Sequence, residues 1–199
     1  MLPAIECKIL YSSKKQIIGK KPRLTLPERA DSLQRFFKLA TDTSTTEKEK
    51  YSTLFFVAFP NSFEDLVQLY GYDNEVGSAP LYESAEDHLY LFSNTTVVPH
   101  RARLQKQVNI ATNGAWEADA VSYFQRELQE SVLNDLFSTV QVLQGLSEEQ
   151  IRQFWYFYFS GPHPSPEIPS SLRAIGTIDP SICLIMQQVH KQVVIDWEH

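Results

Sequence analysis

The sequence predicts a mostly α-helical protein: a single compact domain of about seven or eight helices, with a minor β element near the N-terminus. Three observations support this fold class. Apolar residues recur at helical spacing through most of the 199 residues. Most of these stretches begin at a capping residue or a proline and end at a glycine or a proline. Six consecutive aromatic residues, 154–159, must also be buried against other elements.

Composition is ordinary for a globular protein, with 43% apolar and 21% charged residues. The chain has no run of 18 apolar residues and no signal-peptide pattern at its start, so we expect no membrane partner. Its two cysteines, Cys7 and Cys183, lie far apart. We therefore expect a reduced, cytoplasmic protein with two thiols, and a disulfide joining the two ends is the alternative.

Charge is distributed unevenly along the chain. Residues 1–50 contain 11 Lys and Arg against 6 Asp and Glu, whereas residues 51–199 contain 7 against 18, and no Lys or Arg lies between Tyr51 and His100. We predict a basic N-terminal arm (1–24) and an acidic helical domain (25–199). The arm is either solvated or packed on the domain. Alternatively, the acidic face binds a basic protein partner. Nucleic acid is not favoured, because Tyr11 is the only aromatic residue in the arm.

The first half of the chain predicts a series of short elements. Residues 5–11 alternate weakly and indicate an edge strand. A helix beginning near Pro27 has an apolar stripe, and a second ends at Pro60 after a capping-box pattern at Thr46. A third is capped by Asn61 and ends at Gly71, and residues 73–80 form a loop. Two more helices begin near Ser84 and Pro99, with residues 108–111 as a competing short strand. The apolar stripe of the first helix comprises Ala30, Leu33, Phe36, Phe37 and Ala40.

The second half predicts fewer and longer helices. After the Asn113-Gly114 turn, one long helical pattern runs from Trp116 to Leu143, with a break near Ser131 as the alternative. A short helical turn follows at 170–175. Asp179-Pro180 then opens the last helix with a cap and a first-turn proline.

The aromatic run is the feature around which the chain is organised. Ser147 and Gln150 form a capping-box pattern, which favours a helix over 148–159, and a buried strand is the competing interpretation. Gly161 is expected to be a left-handed C-cap. Four prolines between residues 162 and 169 stiffen the following loop, which contains His163.

The sequence lacks the motifs of several kinds of catalytic, phosphate-binding and metal-binding site. There is no G-x-G phosphate loop and no G-x-S-x-G elbow, and no two histidines are spaced i, i+4. Cys183 and His190 are about two helical turns apart, too far to pair directly. We therefore predict no catalytic residue, no metal ligand and no cofactor.

The function expected from sequence is recognition. We predict a non-enzymatic protein-interaction module with an acidic central face, one form of which is an inhibitor or neutralising partner of a cationic protein. The alternative is a small-ligand-binding protein or hydrolase with a pocket near residues 154–166, using His163 and nearby carboxylates. The predicted binding residues are Trp116, Asp119, Trp155, Tyr158 and His163.

Overall fold

A computed structural model of the chain describes residues 24–197. Ten α-helices, two short 3-10 helices and one two-stranded sheet lie within that range, which confirms the mostly α prediction. The arm predicted over 1–24, including the edge strand at 5–11 and Cys7, lies outside the described residues except for Leu24. No helix within residues 24–197 combines the length and the apolar character needed to cross a bilayer.

The chain divides between Phe59 and Pro60 into two compact units. In the described part of the first, α1 (Leu26–Thr41) and α2 (Lys48–Ala58) form a helical hairpin. Thr25 and Glu28 form a capping box at the start of α1. Aromatic rings join the two helices, with the ring centroids of Phe36 and Tyr51 6.5 Å apart. The capping box predicted at Thr46 does not form, because α2 begins one residue later, after Glu47.

The second unit contains all the other described elements. They are α3 (Phe63–Tyr70), β1 (Tyr72–Asp73), β2 (Gly77–Ser78), a 3-10 helix (Tyr82–Ser84), α4 (Ala85–Asn94), α5 (His100–Ala111), α6 (Ala120–Asn134), α7 (Leu136–Leu143), α8 (Glu148–Phe159), a 3-10 helix (Ser170–Ala174), α9 (Ile175–Ile178) and α10 (Pro180–Trp197). Residues 108–111, where a strand was the alternative, are helical.

The small hairpin formed by β1 and β2 occupies the segment predicted as a loop. Its turn is closed by the Asp73 carboxylate, which accepts hydrogen bonds from the backbone N–H groups of Glu75 and Val76. Gly77 then adopts φ 95°, which a side chain would oppose. Each strand is only two residues long, which is too short to show the alternation of apolar and polar residues by which strands are predicted.

The long helix predicted over 116–143 is two helices, α6 and α7. The break lies at Asp135, whose carboxylate caps α7 by accepting from the backbone N–H of Ser138 at 2.9 Å. The first of the two begins at Ala120 because Asp119 has φ 59° and ψ −117°, which ends any helix on its N-terminal side. Together with the single-turn α9, this division brings the α-helix count within residues 24–197 to ten.

The core of the second unit is built around α8, which is a helix as predicted, with the Ser147–Gln150 capping box in place. Phe154, Trp155 and Phe157 are fully buried. The Phe157 ring lies between Phe63 and Phe124, at centroid distances of 5.9 and 5.8 Å. A helix buried on most of its circumference needs neighbours on several sides, and α5, α6 and α10 supply them.

Candidate binding groove

The segment after α8 is a stiff loop that lies against the last helix. Ser160 is extended, with φ −63° and ψ 152°, and ends α8. Gly161 is not the left-handed C-cap expected from sequence: of the described glycines, only Gly77 has positive φ. The physical reason is Pro162, because the residue before a proline is driven toward extended backbone.

Two contacts hold this loop on α10. His190 Nε2–H donates to the backbone carbonyl of Ser165 at 2.9 Å, and the His190 ring also packs edge-on against Phe159 at 4.9 Å. The exposed His163 ring meets Trp197 edge-on, with 6.0 Å between centroids. The loop is therefore anchored to one helix near its start, at His163, and at its middle, at Ser165.

Helices α8 and α10 lie side by side and run in the same sense. Arg152 Nη2 donates to Gln188 Oε1 at 2.8 Å, and further along, the Tyr156 hydroxyl donates to Asp196 Oδ2 at 3.1 Å. Burial, and then the hydrogen bond to Asp196, raise the pKa of Tyr156. The C-terminal ends of both helices and the start of the loop consequently meet at one place.

At that place the surface forms an open depression of about 260 Å³, which we call the tryptophan groove. Trp116 forms one wall and Trp197 another, with Tyr156 also lining it. Trp197 is 52% exposed and Tyr156 39% exposed, so their rings face solvent in part. The other lining residues are Ala115, Ser160, Gly161, Pro164, Val193 and Asp196.

Among the described residues that line this groove, Asp196 is the one that carries a carboxylate. Asp196 Oδ2 accepts from the Tyr156 hydroxyl, and its Oδ1 accepts from Gln192 Nε2 at 2.6 Å. Both donors are neutral. Within residues 24–197, no Lys, Arg or His lies at ion-pair distance from Asp196. The groove therefore combines aromatic walls with one negative charge that its neighbours hold in place but do not neutralise.

A second depression, of about 380 Å³, continues along α8 and α10 on the other side of Tyr156, which lines both. We call it the glutamine groove, because Gln153, Gln188 and Gln192 line it. Amide side chains both donate and accept hydrogen bonds, which suits contact with an extended peptide backbone. Glu149, Arg152 and Val189 also line it, so the two grooves form one surface with an aromatic end and a polar end.

The predicted binding residues fall into three environments. Trp155 and Tyr158 are core residues, 0% and 3% exposed, with no surface to offer a partner. Trp116 lines the tryptophan groove, and His163 stands beside it against Trp197. Asp119 lies elsewhere: its Oδ2 accepts from the Tyr82 hydroxyl at 2.7 Å. That hydrogen bond is the main cause that raises the pKa of Tyr82 to about 12.

Sequence reasoning did not identify Tyr156, Asp196 or Trp197 as binding residues. Tyr156 belongs to a run of six aromatic residues, and helical periodicity cannot tell which of them faces outward when neighbouring helices cover most sides. Asp196 and Trp197 lie at the end of α10, and no sequence motif marks them as binding residues. Both residues lie about 80 positions after Trp116 in the sequence, and only packing brings them close to it.

A further depression contains the cysteine and a histidine that a catalytic site would need. A depression of about 540 Å³ on the far side of the loop is lined by residues that include Arg173, Cys183 and His190. Gln187 Nε2 lies 3.6 Å from the Cys183 thiol, and His190 already donates to Ser165. No cluster of three or more His, Cys, Asp or Glu side chains in residues 24–197 is arranged to hold a metal ion.

Comparison of the chain with protein-family models, with curated proteins and with solved structures finds no match. The side chains of the tryptophan groove are therefore the basis for the function proposed below.

Proposed function

We propose that this protein is a non-enzymatic interaction module that binds an extended segment of a basic partner protein along the tryptophan and glutamine grooves. The observation that carries the proposal is the tryptophan groove itself: Trp116, Tyr156 and Trp197 line one open depression together with the Asp196 carboxylate. Large, partly exposed aromatic side chains concentrate binding energy at protein interfaces. One form of this function is a neutralising partner or inhibitor of a cationic protein.

The walls of the groove are already in place, which favours tight binding. The loop carries prolines at 162 and 164 and is tied to α10 through Ser165 and His163. The Tyr156 ring is oriented by its hydrogen bond to Asp196. Because these groups lose little freedom on binding, less of the interaction free energy is spent on ordering them.

The charge of the second unit supports a basic partner. Five acidic residues between 73 and 87 are exposed, and no Lys or Arg lies between Tyr51 and His100. Residues 115–119 connect this acidic face to the groove, because Trp116 lines the groove while Asp119 binds Tyr82, the neighbour of Glu83. The acidic face comprises Asp73, Glu75, Glu83, Glu86 and Asp87. Such a surface increases the rate of encounter with a cationic segment.

The proposal is tested by selecting a random peptide library on the immobilised full chain and measuring the affinity of the enriched peptides. We expect basic peptides that bind less tightly as salt is raised and that lose at least about tenfold in affinity on Trp197→Ala, since aromatic anchors at interfaces are worth about 2 kcal/mol or more.

Leu184→Ala is the matched control. Leu184 lies on the same helix and is 55% exposed, but it does not line either groove. Its removal is expected to leave peptide affinity unchanged. Enrichment of no peptide, or of peptides that bind equally to the Trp197→Ala variant, would contradict the proposed function.

A further inference from the structure

The Asp196 carboxylate has hydrogen-bonding capacity left on both oxygens. Oδ2 accepts one hydrogen bond, from Tyr156, and Oδ1 accepts one, from Gln192. Each carboxylate oxygen has two lone pairs, so each retains one acceptor position. Two acceptor positions on one planar carboxylate match the paired N–H groups of a guanidinium, which binds carboxylates in a two-pronged arrangement.

In the described second unit, two exposed carboxylates and one ring are matched by arginines of the chain itself. Glu148 pairs with Arg152 at 2.8 Å, and Glu86 pairs with Arg126 at 3.2 Å. The same Arg126 lies 5.5 Å from the centre of the Tyr123 ring. None of the described residues lining the tryptophan groove is a lysine or an arginine. The groove thus presents the acceptors of a cation site, and no lysine or arginine among the described residues that line it occupies them.

The aromatic walls complete a site for a flat cation. Indole faces attract cations more strongly than other aromatic rings, and two indoles, Trp116 and Trp197, share this groove. The Trp197 ring also has an edge-on contact with His163, which helps to orient it. A guanidinium can stack on an indole and bind a carboxylate with its edge at the same time, whereas an ammonium group offers neither a plane nor a fork.

We propose that the tryptophan groove binds an arginine side chain of the partner, with the guanidinium held by the Asp196 carboxylate and stacked on the ring of Trp116 or Trp197. This assignment rests on the proposed function, because it names the chemistry that the same groove recognises. It places the neighbouring backbone of the bound segment along the glutamine groove.

The test uses the full chain, isotopically labelled for NMR, and three acetylated and amidated pentapeptides with glycine on both sides of a central arginine, citrulline or lysine. Citrulline has the shape of arginine without its charge. The indole N–H signals of Trp116 and Trp197 report the groove, and that of the fully buried Trp155 serves as the internal reference. We expect the arginine peptide to shift the two groove signals and to bind at least about tenfold more tightly than the citrulline peptide.

Asp196→Asn keeps the size and exposure of the side chain and removes its charge. We expect it to bring the affinity of the arginine peptide down to that of the citrulline peptide, while Leu184→Ala leaves all three affinities unchanged. Equal affinity for arginine and citrulline, equal affinity for arginine and lysine, or no effect of Asp196→Asn would overturn the assignment.

The two proposals fail in different ways. If the affinity of library peptides depends on Trp197 but the arginine and citrulline pentapeptides bind equally well, the groove is an interface and the assignment of arginine as its ligand is wrong. If the arginine pentapeptide binds as expected but no library peptide depends on the groove, the side-chain site is real and the protein-interaction function is wrong.

Discussion

The side-chain amide of Gln125 donates to the backbone carbonyl of Phe157 at 2.5 Å and, one residue beyond the end of α8, to that of Ser160 at 2.6 Å. Gln129, one turn later on α6, donates to the carbonyl of Tyr158 at 2.9 Å. The last carbonyls of a helix have no partner within that helix. Here a neighbouring helix supplies the donors, which joins the end of the aromatic helix and the start of the groove loop to α6.

Removing the Gln125 amide should destabilise the protein. Gln125→Ala leaves the buried carbonyl of Phe157 and the carbonyl of Ser160 without this donor, and we expect a loss of about 2–3 kcal/mol in the free energy of unfolding. Gln129→Ala is the matched control with one hydrogen bond lost and should cost about 1 kcal/mol. Urea denaturation of both variants measures the difference. Equal stability of the two variants would show that the Gln125 amide is not the principal cap of α8.

Gly114 should not tolerate a methyl group. A Cβ at this position would lie 2.7 Å from Phe157 Cδ2 and 3.0 Å from the carbonyl oxygen of Ala111. The Phe157 ring is fully buried between Phe63 and Phe124 and has no space into which to move. We expect Gly114→Ala to lower the free energy of unfolding by about 1–3 kcal/mol.

Gly161→Ala is the control for that substitution. A Cβ on Gly161 would meet no heavy atom within 4 Å, and its φ is not positive. The change in unfolding free energy should stay within about 0.5 kcal/mol. Thermal and urea unfolding of the pair give the comparison, and a Gly161 variant as unstable as the Gly114 variant would refute the packing explanation.

Asp119 has a strained backbone conformation and a side chain that accepts a stabilising hydrogen bond. Its φ of 59° and ψ of −117° suit glycine, while its carboxylate accepts from the Tyr82 hydroxyl. Asp119→Gly and Asp119→Ala both remove this hydrogen bond, but only the alanine variant keeps the strain. We expect the alanine variant to be less stable than the glycine variant by about 1 kcal/mol.

The same substitutions should change the ionisation of Tyr82. Because the hydrogen bond to Asp119 is the main cause that raises the pKa of Tyr82 to about 12, both variants should return it toward 10. Ultraviolet titration of tyrosinate measures the change, with Tyr82→Phe identifying the signal. An unchanged titration curve in Asp119→Gly would mean that the hydrogen bond does not persist in solution.

Burial of His88 should make the protein less stable in mild acid. Burial lowers the pKa of His88 to about 4, against 6.5 for the ordinary side chain, and its Nδ1 lies 3.1 Å from the Tyr70 hydroxyl. Between pH 6.5 and 4 the unfolded chain therefore binds more protons at this site than the folded chain. The free energy of unfolding must fall as the pH is lowered through this window, by up to about 3 kcal/mol from this residue.

The test compares urea denaturation at pH 7 and pH 5 for the parent protein and for His88→Gln. The variant should lose less stability on acidification, because it has no proton to bind at this position. A His88→Gln variant with the parent's pH dependence would show that another group is responsible.

The elements of this protein were largely predictable because their causes are local. Ser147 and Gln150 cap α8, Asp179 caps α10 through the N–H groups of Ser181 and Ile182, and both caps are evident from spacing alone. Where one long helix was predicted over 116–143, the backbone of single residues decided the outcome. Asp119 and Asp135 adopt conformations that end the continuous helix implied by the apolar pattern.

The sequence by itself determined the helical class, the position of the aromatic helix α8 and the stiffness of the loop after it, because periodicity, caps and prolines act over a few residues. Only the tertiary structure decided which aromatic rings are core and which are surface. Trp155 and Tyr158 face inward while Tyr156 joins Trp116, Asp196 and Trp197 in a groove. That outcome depends on which neighbouring helices cover each side of α8 and α10, and packing between segments so distant in the chain leaves no mark in local sequence.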